Sequence, residues 1–132
     1  LSEYLELGHE EHCRRYAEVA RATRAGVRAM GLETWPDDDA HACDVVTAVA
    51  VPDGVRDEEL RRRMLEQFGV RISASLVGTP IYGKLVRIGH MGTACSPTCA
   101  LAGLGAMGHC LRQMGCAVDV GAGVEAALAA LD

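Results

Sequence analysis

The sequence predicts an α+β domain, a small and mainly antiparallel sheet with helices packed on one face. Apolar residues recur at helical spacing in long segments, and shorter segments rich in β-branched residues alternate between them. The resulting order is helix, strand, helix, two strands, helix, short helix, which gathers the helices on one side of the strands. With 132 residues, 49% hydrophobic and 23% charged, residues 1–132 read as a single globular domain rather than a disordered chain.

The first helix is carried by Tyr16, Val19, Ala20, Thr23, Val27 and Met30, which repeat on one face between Glu10 and Met30. Arg14, Arg15, Glu18, Arg21, Arg24 and Arg28 mark the opposite face, which reads as solvated. Gly31 stands where a glycine would end the run. Trp35-Pro36-Asp37-Asp38-Asp39 is turn chemistry, and Val45 to Val51 then alternates β-branched with smaller residues as a buried strand. Asp57, Glu58 and Glu59 open a second helix, which runs to Phe68 with Leu60, Met64, Leu65 and Phe68 on one face and Gly69 at its stop.

Val70, Ile72 and Ala74 alternate with Arg71, Ser73 and Ser75, and Val86 and Ile88 alternate with Leu85 and Arg87. Two half-buried strands therefore flank the 78–83 loop as a hairpin. Ser96-Pro97 is a helix start, and Ala100, Leu104, Met107, Leu111 and Met114 continue it to Gly115. Gly103, Gly105 and Gly108 on this helix permit close packing. Gly121 and Gly123 punctuate the tail before a short helix from Val124 to Leu131.

Composition also excludes whole classes of partner. A net charge of −5 and 4% aromatic residues speak against nucleic acid. No apolar run approaches the roughly 20 residues that span a bilayer, and no basic, then apolar, leader opens the chain. Six cysteines (13, 43, 95, 99, 110 and 116) sit in apolar, helix-like segments and read as reduced thiols, which points to the cytoplasm.

Arg87 is the foremost candidate for chemistry. Alternation sends Val86 and Ile88 into the core, so the guanidinium turns to the other face of the sheet, where it needs an anion. That anion is either a ligand carboxylate, which the planar fork suits, or a surface Asp or Glu; spacing alone leaves both open. Gly89 and Gly92 just downstream let a ligand approach the backbone. Cys95-x3-Cys99, with His90 before it and His109-Cys110 after it, is too loosely spaced for zinc and reads as buried thiols, so no metal site is expected. His9, His12 and Cys13 read as surface residues, Gly121-Ala122-Gly123 as a loop-to-helix turn, and Arg61-Arg62-Arg63 as a solvated helix face. No catalytic triad, paired carboxylates or Walker loop stands out, and no catalytic residue is assigned.

The string Gly83-Lys84-Leu85-Val86-Arg87-Ile88-Gly89-His90-Met91-Gly92 resembles the R-I-G-x-M-G segment of class V aminotransferases of the alanine-glyoxylate and serine-pyruvate type. The Arg14 to Gly31 helix, the strand leading into Val51-Pro52-Asp53-Gly54-Val55 and the Glu58 to Val70 helix resemble, in order, that family's small C-terminal domain. The tail from Pro97 is similar to the pyridoxamine-pyruvate aminotransferase branch.

The resemblance implies a dimeric, fold-type I pyridoxal phosphate enzyme, with the cofactor held mainly by a large domain and the small domain closing over the substrate. It implies that Arg87 binds the substrate α-carboxylate. Ser73 and Ser75 depart from the glycines usual at this place. Such chemistry needs a lysine to bind the cofactor and an acidic partner for its ring nitrogen. Lys84 is the only lysine, and the family has a non-catalytic lysine there, so the cofactor-binding large domain lies outside this chain. The chain is then a fragment, a subunit of a split enzyme or a free-standing remnant. The expected function is the C-terminal part of an aminotransferase acting between a small amino donor and glyoxylate or pyruvate. The alternative is a non-catalytic carboxylate-binding or dimerisation module, and a metal-binding module through Cys95 and Cys99 is a distant third.

Overall fold

The computed structural model describes residues 2–132. In chain order the elements are α1 (Ser2–Leu7), α2 (His9–Ala29), β1 (Thr34–Trp35), β2 (Val46–Ala50), α3 (Asp57–Phe68), β3 (Ser73–Ala74), β4 (Leu85–Gly89), α4 (Pro97–Gln113) and α5 (Val120–Ala129). The strands form one sheet in the order β1-β2-β4-β3, antiparallel throughout. The predicted α+β class and hairpin are therefore present. Thr34 and Trp35, which open the turn-rich segment, form an additional two-residue edge strand against Ala48 and Val49.

Residues of alternate parity enter one core. Val49, Ile72, Val86 and Ile88 from the sheet meet Val27, Met30, Leu60, Met64, Leu104, Met107 and Leu111 from the helices, and all are nearly or fully buried. The α4 stripe is as predicted, with Ser96 Oγ accepting the Cys99 N–H at 3.1 Å at its start and Pro97 in its first turn. On α3 only Leu60 and Met64 are buried. Leu65 and Phe68 face outward, and the Phe68 ring meets His109 of α4 edge-on at 5.5 Å. No helix among the described residues is long and apolar enough to cross a membrane.

Two glycines let α2 and α5 touch backbone to backbone. A Cβ at Gly123 would run into the Met30 side chain and come within 2.9 Å of the Gly26 carbonyl oxygen. One at Gly26 would lie 2.8 Å from the Gly123 oxygen. Gly121 and Gly123 thus do not precede the last helix; they lie in its first turns, capped by Asp119, whose carboxylate accepts the Ala122 N–H at 2.9 Å. On α4 the same close approach holds for Gly108, against Val120 and Met30, while Gly103 and Gly105 have open space.

The arginine face of α2 is solvated only in part. Arg14 and Arg15 pair with Glu11 and Glu18 in the open, as expected. Arg24 is instead 6% exposed, with its guanidinium 3.2 Å from Asp39 and 3.5 Å from Asp44, and Arg28 reaches both Asp39 and the Thr34 hydroxyl. The acidic segment between β1 and β2 is thereby fastened to α2. Close to Arg24, His90 is 1% exposed and its Nε2 lies 2.8 Å from Thr47 Oγ1, which ties the end of β4 to β2. Burial, with Arg24 adding to it, pulls the imidazole down to about 4, so His90 is neutral near pH 7.

Gly123→Ala is expected to lower the unfolding free energy by about 1–3 kcal/mol through overpacking of α2 against α5. Gly121→Ala, at an exposed position, serves as the control, and equal denaturant midpoints for the two variants would contradict the close approach. The His90 expectation has a definite sign. An unfolded histidine titrates near 6.5 and the folded one near 4, so between these values the unfolded state binds the extra proton. Stability therefore falls as pH drops from about 6.5 towards 4, by roughly 3 kcal/mol in total. Urea midpoints of wild type and His90→Gln, compared from pH 7 to pH 5, should show the variant with the shallower slope; parallel curves would remove His90 as the cause.

Candidate carboxylate site

The alternation that buries Val86 and Ile88 places Arg87 on the sheet face away from the helices. The ladder sets it directly opposite Ala48 of β2 on one side and Ser73 of β3 on the other, and Ala48 is in turn opposite Trp35 of β1. Directly opposite residues share a face, so Trp35, Ala48, Arg87 and Ser73 form one row across the sheet. The row combines an aromatic edge, a methyl floor, a guanidinium and a hydroxyl.

Arg87 is half-buried, and its Nε–H donates to the Ala74 carbonyl at 2.8 Å. That bond lays the side chain along β3 and leaves the two terminal nitrogens uncommitted. Arg14, Arg15, Arg24, Arg28, Arg61, Arg62 and Arg63 all pair with carboxylates. Among the described residues Arg87 has no such partner. No carboxylate among the described residues therefore occupies its fork, and the same holds for Arg21, Arg56, Arg71 and Arg112.

The surroundings limit how much of this face is open. Leu85, one pleat along from Arg87 on the same face, is only 5% exposed, and the 76–83 loop joins β3 to β4 next to it. The loop is pinned by Ser75 Oγ, which accepts the Gly83 N–H at 3.0 Å, and by the Lys84 N–H to Ile81 carbonyl bond at 3.0 Å. Ser75, read as a polar outward residue, is buried for this reason. Beyond Arg87 along β4, the same face ends in Gly89, which is exposed with no atom near its missing side chain. Trp35, Leu76, Val77, Tyr82 and Met91 are all exposed apolar residues, four of them within the segments that adjoin β4.

The remaining candidates separate in space and character. His90 is committed to Thr47 on the buried side. Cys99 is exposed rather than buried, its thiol 3.7 Å from the Thr93 carbonyl, and Cys95 is partly buried with its pKa raised by desolvation. No group of three or more His, Cys, Asp or Glu among the described residues is arranged to hold a metal ion. Cys13 and His9 stand one turn apart on α2, sulfur to Nε2 at 3.6 Å. Arg61 pairs with Asp57, and Arg62 and Arg63 pair with Glu59 and hold its carboxyl well below the usual carboxylate range, at about 2. The Ala74 carbonyl that orients Arg87 belongs to no recognisable motif; the only sequence signal for it was the predicted pairing of the two strands.

No family model matches the chain. Pyridoxamine–pyruvate transaminase of Mesorhizobium japonicum is 43% identical over 129 residues, which are 98% of this chain and 32% of that protein. The (S)-ureidoglycine–glyoxylate transaminase of Bacillus subtilis is 38% identical over 128 residues, 97% of this chain and 29% of the relative. Among solved structures, pyridoxamine-pyruvate aminotransferase from Mesorhizobium loti superimposes with a TM-score of 0.94 at 42% identity, covering 99% of this chain and 33% of that one. The chain thus spans about a third of the length of the relatives it matches, and its homologues, over nearly all of its own length, are class V aminotransferases.

Proposed function

We propose that this chain is the small C-terminal domain of a pyridoxal phosphate-dependent aminotransferase that moves an amino group between a small amino donor and glyoxylate or pyruvate. Arg87 binds the carboxylate of the substrate. The observation that carries this reading is the state of Arg87: it is oriented by a main-chain carbonyl, presents its fork on the face away from the helices, and takes no carboxylate from among the described residues. A guanidinium so placed meets both oxygens of a carboxylate in one plane. The names of the relatives, which pair an amino donor with pyruvate or glyoxylate, supply the substrate class.

The residues of this chain do not fit the cofactor itself. Lys84, the only lysine, is exposed, and its parity along the strand matches Val86 on the helix side rather than Arg87. The lysine and the acidic partner that pyridoxal phosphate requires are therefore assigned to a large domain or subunit outside this chain. The exposed apolar residues around the Arg87 face suit contact with such a partner. The complete enzyme is read as a cytoplasmic homodimer, a setting that suits six unpaired cysteines.

In the complete enzyme, Arg87→Lys keeps the charge and loses the fork, while Arg87→Ala loses both. A hydrogen bond to a charged group contributes about 1.5–3 kcal/mol, so each lost contact should lower kcat/KM for the keto acid by roughly one to two orders of magnitude. Cofactor absorbance should stay unchanged, because other residues hold the cofactor. Wild-type kcat/KM in both variants would make Arg87 structural and the carboxylate role wrong; loss of cofactor would place its role in assembling the site.

A further inference from the structure

We propose that Ser73 is a second substrate-binding residue, donating its hydroxyl proton to the carboxylate that Arg87 holds. The inference rests on the reading of Arg87 as a carboxylate ligand and adds a residue to the same site. Ser73 is directly opposite Arg87 in the β3–β4 ladder, so the two Cβ atoms leave the same face. The Nε–H bond to the Ala74 carbonyl commits the guanidinium to β3, the strand that carries Ser73.

The two serines of this strand are in different states. Ser75 Oγ is buried and already accepts the Gly83 N–H. Ser73 is exposed, and its hydroxyl makes no hydrogen bond among the described residues. A free donor beside a free guanidinium fork is a complementary set for one carboxylate: its two oxygens have about four acceptor directions, of which a fork fills two. On the other side of Arg87 the ladder offers only the Ala48 methyl. The third hydrogen bond therefore comes from the β3 side alone, which orients the bound acid as well as holding it.

The experiment uses the complete enzyme and two readouts, KM for glyoxylate or pyruvate and competitive inhibition by acetate, a carboxylate that cannot react. Ser73→Ala should raise KM and weaken acetate inhibition by about 3- to 10-fold each, the range for one net hydrogen bond, with kcat and cofactor absorbance within about twofold of wild type. Ser73→Thr, which keeps the hydroxyl, should restore both. Unchanged acetate inhibition in Ser73→Ala, alongside a loss in Arg87→Ala, would overturn the role of Ser73 and leave Arg87 standing. A Ser73→Thr variant as weak as Ser73→Ala would reduce the serine to packing and overturn it equally. If Arg87→Ala itself left acetate inhibition intact, the carboxylate reading would fall, and the role of Ser73 with it.

Discussion

The pleat of β4 serves two environments at once, and most of the molecule is arranged around that division. Val86 and Ile88 pack beneath the helices, while Leu85, Arg87 and Gly89 face the other way. Because side chains alternate with a period of two, a slip of one residue would bury the guanidinium and expose the two aliphatic side chains. The register is held on both flanks. β2 pairs with all five residues of β4, and the ladder is prolonged at both ends by the Val51–Lys84 and His90–Val45 backbone bonds. The neutral His90–Thr47 contact adds a side-chain tie where β4 ends.

Charge is used differently in three places. The pairs along the exposed faces of α2 and α3 are between residues one turn apart, open to solvent, and contribute little to stability. Arg24 is another matter: its guanidinium is withdrawn from water while its partners Asp39 and Asp44 remain half-exposed. Such a pair yields little net stability, because desolvation offsets the attraction, yet removing one partner leaves a buried charge uncompensated. Its effect is to fix where the acidic segment lies and, through that, how β1 meets β2. Arg87 is held by a main-chain carbonyl and has no carboxylate partner among the described residues.

The regular elements were legible because their signals are local. The acidic start and glycine stop of α3, and the Ser96-Pro97 start and apolar stripe of α4, depend on residues within a turn or two of one another. The face that Arg87 presents was legible for the same reason. What escaped depends on partners distant in sequence. Burial of Arg24 requires Asp39 and Asp44 to come to it, and nothing in the α2 periodicity distinguishes it from Arg14. Gly123 reads as a helix breaker until Gly26 is brought against it, when the absent side chain becomes the condition for contact. β1 has two residues, too few for any alternation to register. The hold of Ala74 on Arg87 was illegible for a different reason, since a main-chain oxygen leaves no mark in the sequence.

That last feature bears on how the site would tolerate change. An arginine aimed by a neighbouring glutamate or serine loses its aim when that neighbour is replaced. Here the anchor is a peptide carbonyl, present whatever residue occupies position 74. Point substitution cannot delete it; only a shift of the strand, or an insertion that breaks the pairing of β3 with β4, can move it. The side chains in the same row across the sheet, Trp35, Ala48 and Ser73, can therefore vary without removing the bond that orients it. A strand built in this way is a fixed handle with an exchangeable rim.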